Sequence, residues 1–233
     1  MELNMKDSKD TDLTDHPALD VIRERRSVRN FTSDPVTDQQ LEAILEAGRW
    51  SPSKRNSQPW DFIVVRDLQI RREVGNVLRQ VTSAWAGFTD APVLIVVSVD
   101  RSRDPEHFVE DGAVATQNLC LAAHCLGLAS SWAGVYAKRA RRGSVQHTLK
   151  KLLSVPRTHR IIAVVPIGVA RHEINSSRRP LVEMVHHDRF QPLPYTSPLQ
   201  APPTATSPAE NGTHGLPGVR RTQRPPPESG RIV

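Results

Sequence analysis

Hydrophobic positions recur with a helical period along some stretches of the chain and run unbroken along others. Thr37-Asp-Gln-Gln40 has the form of a capping box, and Leu41, Ile44, Leu45 and Gly48 follow at helical spacing, predicting a helix over about 38–49. Ile70, Val74, Val77 and Leu78 predict another over about 67–80, capped by Asp67. Runs rich in β-branched residues read as strands: DFIVV at 61–65, PVLIVVSV at 92–99 and RIIAVVPIG at 160–168. The second is apolar on both faces, as expected of a strand covered from both sides. A long apolar helix follows over about 106–126, with Gly127 placed to end it. The strand SSWAGVY (130–136) comes next, then a helix over about 143–154 that ends before Pro156. Strands alternating with helices imply a mixed α and β fold around a central sheet.

Three regions differ in kind. Residues 1–15 form a polar N-terminal extension, 16–191 carry the patterned body, and 192–233 hold ten of the nineteen prolines. Such a tail cannot bury enough apolar surface to offset its ordering entropy, so it is expected to be disordered. It reads as passive, although the prolines at 225–227 could form polyproline II for a partner. The stretch from Gly112 to Ala137 could span a membrane by length, but Gln117, Asn118 and His124 favour a buried helix and strand. No apolar signal core opens the chain. Cys120 and Cys125 sit five apart on one helix, on different faces, and read as two small buried core residues in a reducing compartment. The expectation is a cytoplasmic protein without membrane attachment.

A net charge of +6 favours anionic partners without choosing among them. The sharper signal is RERRSVRNF (23–31), where a helix carrying Leu19 and Ile22 gives way to extended chain. Arg25, Arg26 and Arg29 offer planar, permanently charged donors and Ser27 a neutral one, which suits a phosphate dianion. A solvated basic face or contact with nucleic-acid backbone would use the same residues. No Gly-x-Ser-x-Gly elbow or dinucleotide glycine fingerprint accompanies them. His186-His187 lacks partners for a metal site, and His124 reads as a satisfied core histidine.

Three further segments follow in order: SPSKRNSQPWDFIVV (51–65), DGAVATQNLCLAAHCLGLASSWAG (111–134) and PIGVA with RRPLVEMVHHDRF (166–190). With RRSVRNF they make the chain resemble the nitroreductase family of FMN-dependent oxidoreductases along nearly all of the body. The resemblance implies an α+β nitroreductase-like fold with a central mixed sheet flanked by helices, in an intertwined homodimer. It implies FMN sites at the subunit interface. Arg25, Arg26, Ser27 and Arg29 would grip the flavin phosphate, completed by Arg178 or its neighbour Arg179. Pro52, Ser53, Asn56 and Gln58 would lie along the flavin from the partner subunit. Ser131, Trp132, Ala133 and Gly134 would pass the isoalloxazine ring.

The residue chemistry agrees with those roles. Asn56 both donates and accepts, as a pyrimidine edge requires, and Gly134 lets backbone approach a flat ring. Ordinary loop hydrogen bonding for Asn56 and Gln58, and core packing for Trp132, remain open. The implied reaction takes hydride from NADH or NADPH onto FMN and hands it to a small electron-poor acceptor such as a nitroaromatic or quinone. Reductive dehalogenation and flavin fragmentation fit the same cofactor site. No dedicated catalytic acid or base stands out, so the chemistry would rest with the cofactor. Lys54-Arg55 would favour an anionic acceptor or NADPH if they face the pocket, and otherwise form a solvated pair. Residues 81–91 are too few for a long lid, which implies an open site.

Overall fold

A computed structural model describes residues 16–137 and 141–190. The expectations for the extension at 1–15 and for the tail at 192–233 fall outside these residues. The chain divides into two compact units, Met1–Ser177 and Arg178–Val233.

Five helices are described in the first unit: α1 (Pro17–Glu24), α2 (Asp38–Arg49), α3 (Leu68–Arg79), α4 (Phe108–Cys125) and α5 (Val145–Leu152). The capping box of α2 forms in both directions. Gln40 N donates to Thr37 Oγ1 at 3.1 Å, and Thr37 N donates to Gln40 Oε1 at 3.0 Å. Asp67 caps α3 by accepting from Ile70 N at 2.9 Å. Gly127 takes φ 72 just past α4, the left-handed turn that glycine adopts without a Cβ penalty.

Two long strands form the centre of the sheet, β2 (Val93–Asp100) and β5 (His159–Gly168). β1 (Trp60–Val65) pairs with β2, and the order is β1-β2-β5-β3, with β4 also on β5. The ladders are antiparallel, and the bridge Ser27–Ser130 is parallel. Val93, Ile95 and Val97 of β2 pack with Ile44 of α2 and Leu119 of α4 on one face. Leu94 and Val96 pack with Val74 and Leu78 of α3 and Leu149 of α5 on the other. A strand pressed from both sides favours apolar residues on both faces, which is why Val93 to Val97 show no alternation.

Two expectations need correction. The strand expected at 130–136 is two pieces, β3 (Ala129–Ser130) and β4 (Ala133–Gly134), in one register on β5. Val135 N donates to Ile162 O at 3.1 Å, so the backbones of Ile162, Val164 and Pro166 face this side. Pro166 has no N–H to give Ser131, and the ladder lapses there. The cysteines are both free, but only Cys120 is buried, while Cys125 is exposed. Five residues place them about 140° apart around the helix, so one faces the core and the other does not.

Residues 81–91 hold no extended lid. They contain a 3₁₀ segment, Ser83–Asp90, that buries Phe88 completely against the core. In the second unit, the described residues carry a short 3₁₀ turn at Leu181–Glu183, and the His186 and Phe190 rings lie 4.3 Å apart.

Candidate functional site

At the end of α1 the chain turns extended, with Arg25 at φ −53 and ψ 134. Val28 N donates to Ser130 O at 2.9 Å, and Phe31 bridges to Ala170, so this stretch is stitched beside β3 and the end of β5. Arg25 and Arg26 line a cavity of about 610 Å³ together with Ser130, His124 and His172. Arg26 Nη1 donates to the carbonyls of Arg23 and Arg25 at 2.6 and 3.1 Å. Its Nε is buried without a protein partner. Ser27 is half-buried in its bridge to Ser130. Arg29 is exposed and does not line the cavity. His124, expected to be a core histidine, is instead half-buried in the cavity wall. Glu24 and Glu173 share that wall, so the cavity is locally cationic and not uniformly so.

The adjoining segment 131–134 begins where the ladder lapses and rejoins it at Ala133 and Gly134. The Ser131 hydroxyl is buried and has no protein partner. Trp132 is 37% exposed, which overturns core packing as its role. Ala133 is buried and Gly134 exposed. A Cβ built on Gly134 would meet nothing nearer than Trp132 Nε1 at 3.7 Å, so this backbone is open to a flat group.

The loop between α2 and β1 is strained. Arg55, Asn56 and Gln58 take φ 53, 57 and 45, three non-glycine residues in the left-handed region. Ser53 Oγ accepts from Gln58 N at 2.9 Å, and Gln58 Nε2 donates to Asn56 Oδ1 at 3.1 Å. Pro52 is exposed beside them. Lys54 Nζ pairs with Glu106 Oε2 at 2.6 Å, so it is tied to its own protomer, while Arg55 is exposed. From α4, Asp111 accepts from Lys54 N at 3.2 Å and from Ser57 Oγ at 3.5 Å. Burial pushes the Asp111 carboxyl above the usual carboxylate range, and the Lys54 N–H opposes that shift. Sequence reasoning did not single out Asp111. The available signal was a pair of polar residues, Asp111 and Asn118, seven apart and so on one face of the helix.

One protomer does not unite these parts. Trp60, just after the loop, pairs with Val99, which pairs with Arg160, whereas Ser130 pairs with Ile167. Seven residues along β5 and three strand spacings across put Trp60 about 27 Å from Ser130. The structure gathers Arg25, Arg26, Ser27 and Ser130 at one end, from which residues 131–134 run back along β5 to Ala163. It leaves Pro52, Ser53, Asn56 and Gln58 at the other. Arg178 and Arg179 belong to the second unit, where both are exposed.

A sequence profile of the nitroreductase family matches residues 22–86 and 78–169. The chain belongs to this family. An Archaeoglobus fulgidus protein provisionally named NADH dehydrogenase/NAD(P)H nitroreductase is 36% identical over 158 residues, 66% of this chain and 86% of that one. Among solved structures, a nitroreductase (also a provisional name) from Desulfovibrio desulfuricans in complex with FMN is 32% identical. The match covers 76% of this chain and all of that one at a TM-score of 0.62. An FMN-dependent nitroreductase from Clostridium difficile matches at 0.67 with 25% identity, over 73% of this chain and 98% of that one. As in the α+β nitroreductase fold, helices cover both faces of the sheet. Among the described residues, no helix is long and apolar enough to cross a membrane. No group of three or more His, Cys, Asp or Glu there could hold a metal ion.

Proposed function

We propose that this nitroreductase-family chain is an FMN-dependent oxidoreductase that takes hydride from NADH or NADPH and delivers it to a small electron-poor acceptor, such as a nitroaromatic or quinone. Bound FMN would supply the hydride chemistry at its N5. The observation that carries the reading is a set of unspent donors at one end of β5. Arg26 Nε and the hydroxyls of Ser130 and Ser131 are buried without hydrogen-bond partners, and Arg25, Arg26 and Ser130 line the cavity. Buried donors left unpaired are costly, so a phosphate-bearing ligand that accepts from them fits the donor set.

Arg25, Arg26, Ser27 and Arg29 then bind the phosphate. Ser131, Trp132, Ala133 and Gly134 orient the ring, with Ser131 backbone released by Pro166 and Ala133 and Gly134 held on β5. Pro52, Ser53, Asn56 and Gln58 close the site from a second copy of the chain. The separation of about 27 Å within one protomer supports this homodimeric arrangement. The two free cysteines fit a reducing compartment, and we place the protein in the cytoplasm. Glu24 and Glu173 beside the arginines argue against tracking along nucleic-acid phosphates.

The test is an absorption spectrum of the purified protein, followed by anaerobic NADH and then NADPH in the same cuvette. Bands near ~450 nm that bleach with either nucleotide are the expected result, since the cofactor carries the chemistry. A colourless protein that also refuses added FMN would overturn the reading.

A further inference from the structure

We propose that Asp111 is a positioning residue that locks the 53–58 loop into the backbone shape the cofactor site requires, an inference that rests on the reading of this loop as flavin-binding. The loop places Arg55, Asn56 and Gln58 in left-handed backbone, and none of them is glycine. Such a conformation persists only where surrounding contacts impose it. Within the loop, the bonds from Gln58 N to Ser53 and from Gln58 Nε2 to Asn56 give part of that hold.

The rest comes from α4. One oxygen of Asp111 accepts from Lys54 N, the first residue of the 3₁₀ turn, and the other accepts from Ser57 Oγ, just after its last. A single carboxylate therefore straddles the turn. Asn118 lies two helical turns further along the same face of α4. It donates to Ser51 Oγ at 2.9 Å and to Ala47 O at 3.2 Å, fixing the point where the loop leaves α2. Gly112, next to Asp111, lets the helix sit directly on Ile162 and Val99 of the sheet, which gives the clamp a rigid base.

Asp111 is 5% exposed, and an ionised carboxylate so placed costs the fold more than an apolar side chain would. Its position in the first turn of α4 offsets part of that cost. Both oxygens are used on the loop, so the charge is spent on loop geometry.

The full-length chain is compared with Asp111→Asn, Asp111→Ala and Ser57→Ala. FMN affinity is measured by flavin fluorescence and loop order by hydrogen exchange at the 54–58 amides. The alanine variant at 111 is expected to weaken FMN about tenfold and speed exchange across the turn, as loss of a charge-assisted bond implies. Asp111→Asn keeps an acceptor for Lys54 N–H and is expected to stay within about twofold of the parent. Ser57→Ala loses only the longer bond and is expected to weaken FMN about twofold to threefold, again with faster exchange. Unchanged affinity and unchanged loop exchange in Asp111→Ala would overturn the proposal, and Ser57→Ala decides it if that variant does not fold. An Asp111→Ala protein that loses thermal stability but keeps FMN affinity would overturn it as well. A parent chain that takes up no FMN would sink the functional reading instead, and loop exchange then decides the role of Asp111.

Discussion

Replacing Gly112 with alanine sets two physical effects against each other. Gly112 lies inside α4, where alanine is favoured over glycine by about 1 kcal/mol on helix propensity alone. A Cβ there would come within 2.6 Å of Ile162 Cγ1, 3.0 Å of Val99 Cγ1 and 3.3 Å of Ile162 Cβ. These neighbours are 3% and 0% exposed on the two central strands. Both are β-branched and stiff at χ1, and rotating Ile162 does not remove its Cβ. The helix must therefore lift from the sheet, and overpacking of this kind costs about 1–3 kcal/mol. We expect packing to win, with Gly112→Ala less stable by about 1–2 kcal/mol. Urea unfolding at constant m-value is the assay. Ile162→Ala should cost about 2–4 kcal/mol in the parent. In the Gly112→Ala background it should cost about 1 kcal/mol less, because it removes the clashing methylene. A midpoint that rises in Gly112→Ala, or costs that simply add in the double variant, would refute the reasoning.

Thr37→Ala removes the Oγ1 acceptor that caps Gln40 N, leaves the backbone N–H at 37 still able to donate to Gln40 Oε1, and should cost about 1 kcal/mol. The melting temperature should drop by about 2–4 °C, read by circular dichroism. The Glu46 carboxyl is held down at about 2 by hydrogen bonds from Arg49 and then Trp50. Because its folded pKa is depressed, its stabilisation is full above its ordinary value of 4.5 and fades as pH falls towards 2. Glu46→Gln should therefore flatten that part of a urea-midpoint-against-pH curve and leave pH 7–9 with little slope change. Arg25→Ala should raise the FMN dissociation constant about tenfold or more, read by fluorescence titration, while the unfolding midpoint of the FMN-free protein stays close to the parent's. Unaltered FMN binding would remove Arg25 from the phosphate site.

What could be read from the residues was local or charge-based. The capping box of α2 is an exchange between neighbours three apart, so Thr37 and Gln40 declare it without any tertiary contact. The unbroken apolar run at 93–97 announces a strand covered on both sides, because burial on both faces leaves no alternation. Arg25-Arg26-Ser27 reads as a candidate anion site from charge, and only the segments that follow it in order narrow that reading towards a flavin phosphate. Tertiary structure decided the rest. Pro166 interrupts the 129–134 ladder only because register sets it opposite Ser131. Asp111 holds Lys54 and Ser57 across more than fifty residues of chain, a contact that no local period encodes. Left-handed φ at Arg55, Asn56 and Gln58 contradicts their intrinsic preference and exists because surrounding bonds impose it. The 53–58 loop and the Arg25-Arg26-Ser27 segment each have a sequence signature, but the distance between Trp60 and Ser130 across the sheet follows from strand order and register.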